Sequence, residues 1–179
     1  MKKTILALLL LSTLCTFPDP AISQNEDTVE RASGEDKSIV IRERGHDHKY
    51  NFDDDLQLHS IDEVKLLFQS RVEGLLYLLL DVKGPSRGGG NGYCGAGEEQ
   101  YLIWLVLEPN WEVKDSRVEL IASCFVNRES TGDAPYNIEG GKLTAEYRDY
   151  NNKVIKNLVY DSARPEQGWV IHMKPLPKE

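Results

Sequence analysis

Apolar residues recur along this chain in three rhythms, and each rhythm predicts a different kind of element. The first is continuous. Leu75 to Leu80, Tyr101 to Leu107 and Val118 to Val126 are apolar at nearly every position, as expected of strands covered on both faces. Gly74 before the first run and Gly84-Pro85 after it mark its ends. Pro109-Asn110 interrupts the second run, Trp111 and Val113 resume it, and Asp115-Ser116 predicts a turn. The second rhythm alternates. Lys142 to Tyr147 places Leu143, Ala145 and Tyr147 on one side. Asn151-Asn152 supplies a turn, Val154 to Tyr160 returns, and Trp169 to Met173 follows the loop Arg164 to Gly168. Ser38 to Arg42, with Ile39-Val40-Ile41, is a short first strand.

The third rhythm is helical. Ile61, Val64, Leu67 and Phe68 share one face at a period of 3.6. Ser60 followed by Glu63 has the S-x-x-E form of a capping box. Together they predict a helix from Ile61 to about Arg71. The expected fold is therefore α+β and β-rich: mainly an antiparallel sheet or sandwich with one short N-terminal amphipathic helix. That helix covers only part of one face, so other β structure must cover the rest. The globular unit is expected over residues 38–176. Residues 24–37, polar and acidic, are expected to form a disordered leader, and Gly45 to Asp55 a polar, turn-rich connection.

The first 23 residues change the picture of where the protein works. Lys2 and Lys3 precede the apolar stretch Ile5 to Leu14, which is too short to span a bilayer as a helix. Ala21-Ile22-Ser23 then offers small residues at a cleavage site. The segment reads as a secretory signal peptide, with a mature chain from Gln24 and a periplasmic or secreted location. Leu14 directly before Cys15 argues against lipidation, which needs a small residue there. Cleavage leaves 156 of 179 residues, and losing Lys2, Lys3 and Asp19 takes the formal charge from −8 to −9. That balance argues against nucleic acid and anionic membrane surfaces. It points to solubility, or to a basic envelope protein as partner. No apolar run in the mature chain is long enough for a membrane span.

Cys94 and Cys124 are the two cysteines left after cleavage. In an oxidising compartment they are expected to pair. The loop they close is about 30 residues long, for which chain entropy gives a stabilisation of roughly 3–4 kcal/mol.

Candidate chemistry is sparse. The stretch Gly84 to Glu99 holds seven of the fourteen glycines. No Gly-Lys-Ser/Thr follows it, no helix starts behind it, and Glu98 and Glu99 repel phosphate, so a phosphate cradle does not fit. It reads as a flexible connection or as a protruding recognition loop with Arg87, Asn91 and Tyr93 as contacts. Trp111 and Trp169 flank turns and are candidate anchors for a partner or a sugar ring. Trp104, inside an apolar run, is expected in the core. His46 and His48 can share a strand face and are the nearest candidates for a divalent ion, but no third ligand is fixed beside them. No metal or other cofactor is expected. The motifs G-x-S-x-G, S-x-x-K and H-E-x-x-H are absent. The leading expectation is a non-catalytic interaction or inhibitor-like module of the cell envelope, contacting its partner through the glycine-rich loop. The alternatives are an envelope hydrolase whose site is assembled only by the fold, and a structural envelope protein without a discrete site.

Overall fold

The computed structural model describes residues 28–31, 36–43, 45–87 and 97–177. Every regular element among them is a strand except one 3-10 turn, Pro165–Gln167. Strands β1 (Thr28–Arg31), β2 (Ser38–Glu43) and β3 (His46–Asn51) form a small sheet in that order. The remaining nine form one antiparallel sheet. Its strands are β4 (Glu63–Val72), β5 (Leu75–Pro85), β6 (Glu98–Leu107), β7 (Val113–Ser123), β8 (Arg128–Ser130), β9 (Asn137–Glu139), β10 (Lys142–Asp149), β11 (Val154–Asp161) and β12 (Trp169–Pro175). The order is β12-β11-β10-β8-β7-β6-β5-β4, with β9 beside β10.

The two-sided apolar runs lie at the centre, as their sequence requires. Alternate side chains of β5 and β6 enter two separate cores. Leu76, Leu78, Leu80, Ile103 and Leu105 face β2, β3 and the segment carrying Phe52, Leu56, Leu58 and Ile61. Tyr77, Leu79, Leu102 and Trp104 face Leu143, Tyr147, Leu158 and Tyr160 of β10 and β11. Each fully buried leucine contributes about 1.5–3 kcal/mol, so these strands anchor both layers. The long sheet folds back over its own centre. Phe68 of β4 meets Tyr160 of β11 with ring centroids 5.5 Å apart, and Trp104 Nε1 donates to the Pro165 carbonyl at 3.0 Å.

No α-helix occurs among the described residues, which corrects the expected helix over 61–71. That segment is β4, and its exposed positions Glu63, Lys65, Gln69 and Arg71 alternate with part-buried ones. A bulge between Leu66 and Phe68 puts one extra apolar residue into the alternation. That inserted residue makes a period of two look like 3.6. The capping box is also absent. Ser60 Oγ bonds Asp62 Oδ1 at 3.3 Å, and the Asp62 N–H donates across to the Lys83 carbonyl at 2.8 Å. A Cβ on Gly84 would stand 2.0 Å from the Ser60 carbonyl oxygen, so only glycine allows this backbone approach.

Three smaller expectations also change. His46–Asn51, read as part of a turn-rich connection, pairs with β2 from Ser38↔Asn51 to Glu43↔His46. Thr28–Arg31 lies inside the expected leader and pairs with β2 from Thr28↔Arg42 to Arg31↔Ile39, on the side of β2 that β3 leaves open. Asp115-Ser116 is not a turn, because β7 runs straight through it beside β6. The signal peptide expected over 1–23 lies outside the described residues. Among those described, no helix is long and apolar enough to cross a membrane.

Candidate functional site

Strand β7 connects two ends of the sheet that carry different surfaces. At its first end, the turn Glu108–Glu112 presents Trp111, with φ at 68°. A non-glycine residue held there costs about 1–3 kcal/mol and needs support. The Tyr50 hydroxyl donates to the Trp111 carbonyl at 3.0 Å, and burial pushes that hydroxyl's pKa up to about 12. His48 stacks on the indole, with centroids 4.0 Å apart and planes 8° from parallel. Arg71 lies 6.0 Å from the same ring and bonds Glu43 at 2.7 Å. A cleft of about 320 Å³ lies among Glu43, Arg71, Glu108 and Trp111.

The other end carries the base of the glycine-rich stretch. The Ser86 N–H donates to the Gly97 carbonyl at 2.9 Å, and its hydroxyl donates to the buried Glu99. Residues 124–127 turn β7 into β8 beside it, with Asn127 at a φ of 52°. Three bonds fix this turn: Val126 N to Ser123 Oγ at 3.0 Å, Asn151 Nδ2 to the Val126 carbonyl at 3.0 Å, and Tyr150 N to the Asn127 carbonyl at 3.2 Å. The turn between β10 and β11 is thereby tied to the turn between β7 and β8. Phe125 is 68% exposed on one and Tyr150 44% exposed on the other.

An ionic network lies under this second end. Glu119 Oε1 accepts from Tyr147 Oη at 2.7 Å, Lys156 Nζ at 3.0 Å and Arg128 Nη1 at 3.3 Å. Arg128 also reaches Asp149 at 2.9 Å and the Leu120 carbonyl at 2.7 Å. Asp149 in turn accepts from the Asn152 N–H and side-chain amide, at 3.0 and 2.9 Å. Burial acts to raise the Asp149 pKa, but the Asn152 bonds and Arg128 outweigh it and hold the carboxyl below its ordinary value. Burial followed by the Glu119 charge raises the Tyr147 hydroxyl far out of the useful range for a general base. An open groove of about 500 Å³ runs over this network, with Asp54, Asp55 and Gln57 on its far side.

The candidates read from the sequence are distributed unevenly over these surfaces. Trp111 and His48 are brought together as a stack. His46 is exposed at the start of β3. Among the described residues, no three His, Cys, Asp or Glu side chains group to hold an ion. Trp169 is not an exposed anchor: it is buried in the second core, opposite Tyr160. Trp104 is in that core too, as expected, with Arg117 4.7 Å from its ring centroid. Arg87 is exposed, and its N–H donates to the Gln57 carbonyl at 3.0 Å. Cys124 opens the turn after β7 and is not a free thiol. Asn91, Tyr93 and Cys94 lie outside the described residues. Phe125 and Tyr150 were not singled out by sequence. Phe125 sits in an apolar run read as strand, and its cue was the Asn127-Arg128 pair that closes the turn. Comparison with family models, curated proteins and solved structures finds no match for this chain.

Proposed function

We propose that this chain is an exported, non-catalytic interaction module that docks on a partner protein through the end of its sheet carrying Phe125 and Tyr150. The observation that carries the reading is the braced exposure of Phe125. A large aromatic at 68% exposure on a turn fixed by three hydrogen bonds loses little freedom on binding. Pre-organised aromatics of this kind dominate interface energetics. The glycine-rich loop springs from the same end and adds a second contact through Arg87, Asn91 and Tyr93. A Cys94–Cys124 disulfide would pin that loop against the sheet, and the oxidising compartment implied by residues 1–23 is where such a bond forms. The acidic mature chain favours a basic partner of the cell envelope, met in the periplasm or after secretion. The two grooves described so far are open, and among the described residues the carboxylates with shifted pKa values are lowered by internal partners. A general acid instead needs a raised carboxylate.

The test is capture from an envelope fraction with three forms of the mature protein: wild type, residues 88–96 deleted, and Phe125→Ala. The expected result is a partner retained by wild type and lost from both variants. A captured set that neither change alters would overturn the reading.

A further inference from the structure

Strand β7 has an open side. It pairs with β6 in unbroken register from Tyr101↔Leu120 to Val106↔Asp115, whereas β8 reaches it only at Ser123↔Arg128. Among the described residues, no other strand pairs with β7. In an antiparallel strand the N–H and C=O of one residue point to the same neighbour, and those of the next residue point the opposite way. Two side-chain bonds fix which residues face out. Arg128 Nη1 donates to the Leu120 carbonyl at 2.7 Å, and the Ser116 N–H donates to Asp115 Oδ1 at 2.8 Å. Ser116, Val118 and Leu120 therefore turn their backbone away from β6. The Ser116 carbonyl, the Val118 N–H and carbonyl, and the Leu120 N–H have no hydrogen-bond partner among the described residues.

This open edge lies in the groove of about 500 Å³ above the Glu119 network. One wall carries Asp54 and Asp55, both exposed and neither in an ion pair among the described residues. The other carries Lys156 and Arg128, whose charges are met by Glu119 and Asp149. The unmatched charge in the groove is therefore negative and sits on the Asp54 wall. We propose that the outer edge of β7 takes an extended segment of a partner protein as an added strand. Its basic side chains face Asp54 and Asp55, and its uncharged ones face Lys156. The backbone groups at 116, 118 and 120 give such a segment its hydrogen bonds, and the alternation of its side chains between the walls gives selectivity. A helix has no backbone donors and acceptors to spare for this edge. A second copy fits less well, because pairing β7 with β7 sets the Asp54 and Asp55 carboxylates of both copies on the same face. This surface is separate from the Phe125 turn and does not rest on it.

Titration of the ¹⁵N-labelled protein with acetyl-Lys-Val-Lys-Val-Lys-amide tests this by amide chemical shifts and hydrogen exchange. In the free protein the Val118 and Leu120 amides should exchange faster than those of Arg117 and Glu119, which bond to β6. The peptide should give a saturable response confined to residues 54–57 and 114–121, and should slow exchange at Val118 and Leu120 about tenfold or more. The same peptide N-methylated at every backbone nitrogen has no donors and should give no response. Acetyl-Glu-Val-Glu-Val-Glu-amide should bind several-fold more weakly. Val118→Pro removes an outward donor that β6 does not use and should abolish the response. Asp54→Asn with Asp55→Asn changes exposed side chains alone, so the spectrum should stay dispersed while the lysine peptide binds several-fold more weakly. Equal binding of the N-methylated or the glutamate peptide would overturn the proposal, as would indifference to the Asp54 and Asp55 changes. Slow exchange at Val118 and Leu120 that grows with protein concentration, without peptide, would assign the edge to a second copy and overturn it too. None of these results bears on capture through Phe125, which is read by its own variant.

Discussion

Trp111 stands two residues before β7 and Phe125 two residues after it, and the fold treats them in opposite ways. Trp111 is turned inward at the expense of a left-handed backbone, with His48 on its ring and Tyr50 on its carbonyl. Phe125 is turned outward on a turn whose hydrogen bonds run to Ser123, Tyr150 and Asn151. Both ends spend interactions on holding an aromatic in place. At the first end, those interactions close the small sheet onto the large one and so serve stability. At the second end, they brace the turn that carries the exposed Phe125, the side chain we propose as the docking contact.

The sharpest break of this comparison comes from the support beneath the outward end. Arg128→Leu leaves Asp149, 1% exposed, without its cation. We expect a loss of about 3 kcal/mol in chemical denaturation and faster amide exchange at Asn127 and Tyr150. A stability change without faster exchange there would mean that the network does not brace the turns.

Trp111→Ala comes next, with an expected loss of about 2–3 kcal/mol from packing against the first core. Trp111→Gly should be milder than Trp111→Ala by about 1 kcal/mol, because glycine adopts a φ of 68° without strain. Equal losses would show that the backbone there carries no strain.

Acid should weaken the outward end through Asp149. Asp149 has a folded pKa below its unfolded value of about 3.9. Its contribution is therefore fully present above the unfolded value and is lost as pH falls through the folded one. Wild-type stability should decline below about pH 4, with the Asn152 amide losing exchange protection early. Asp149→Asn should flatten part of that decline.

The smallest effect belongs to Ser60→Ala. With no helix to cap and only an exposed bond to Asp62, the change should stay below about 0.5 kcal/mol in chemical denaturation. A loss near 1 kcal/mol would restore the capping box.

The sheet was legible in the sequence where burial alone sets the pattern. Leu75–Leu80 and Tyr101–Leu107 are apolar on both faces because two cores flank them, and Leu143, Ala145 and Tyr147 alternate because β10 faces one. The pattern misled where a bulge intervened, as in β4, since one inserted residue mimics helical spacing. It was silent for β1, β3, β8 and β9, which are short and held by backbone pairing rather than by apolar periodicity. Site residues were harder still. Trp111 and His48 were visible as residue types, but their stacking depends on bringing β3 to the turn after β6. Tyr150 gains its meaning only from the turn at Asn127, 23 residues earlier in the chain.

The most direct test of the docking end is the affinity of the captured partner for Phe125→Ala, measured beside Trp111→Ala. We expect Phe125→Ala to keep the wild-type melting temperature and to weaken binding roughly tenfold or more, while Trp111→Ala lowers the melting temperature and leaves binding unchanged. Binding that survives Phe125→Ala and fails with Trp111→Ala would place the docking surface at the opposite end and contradict the account.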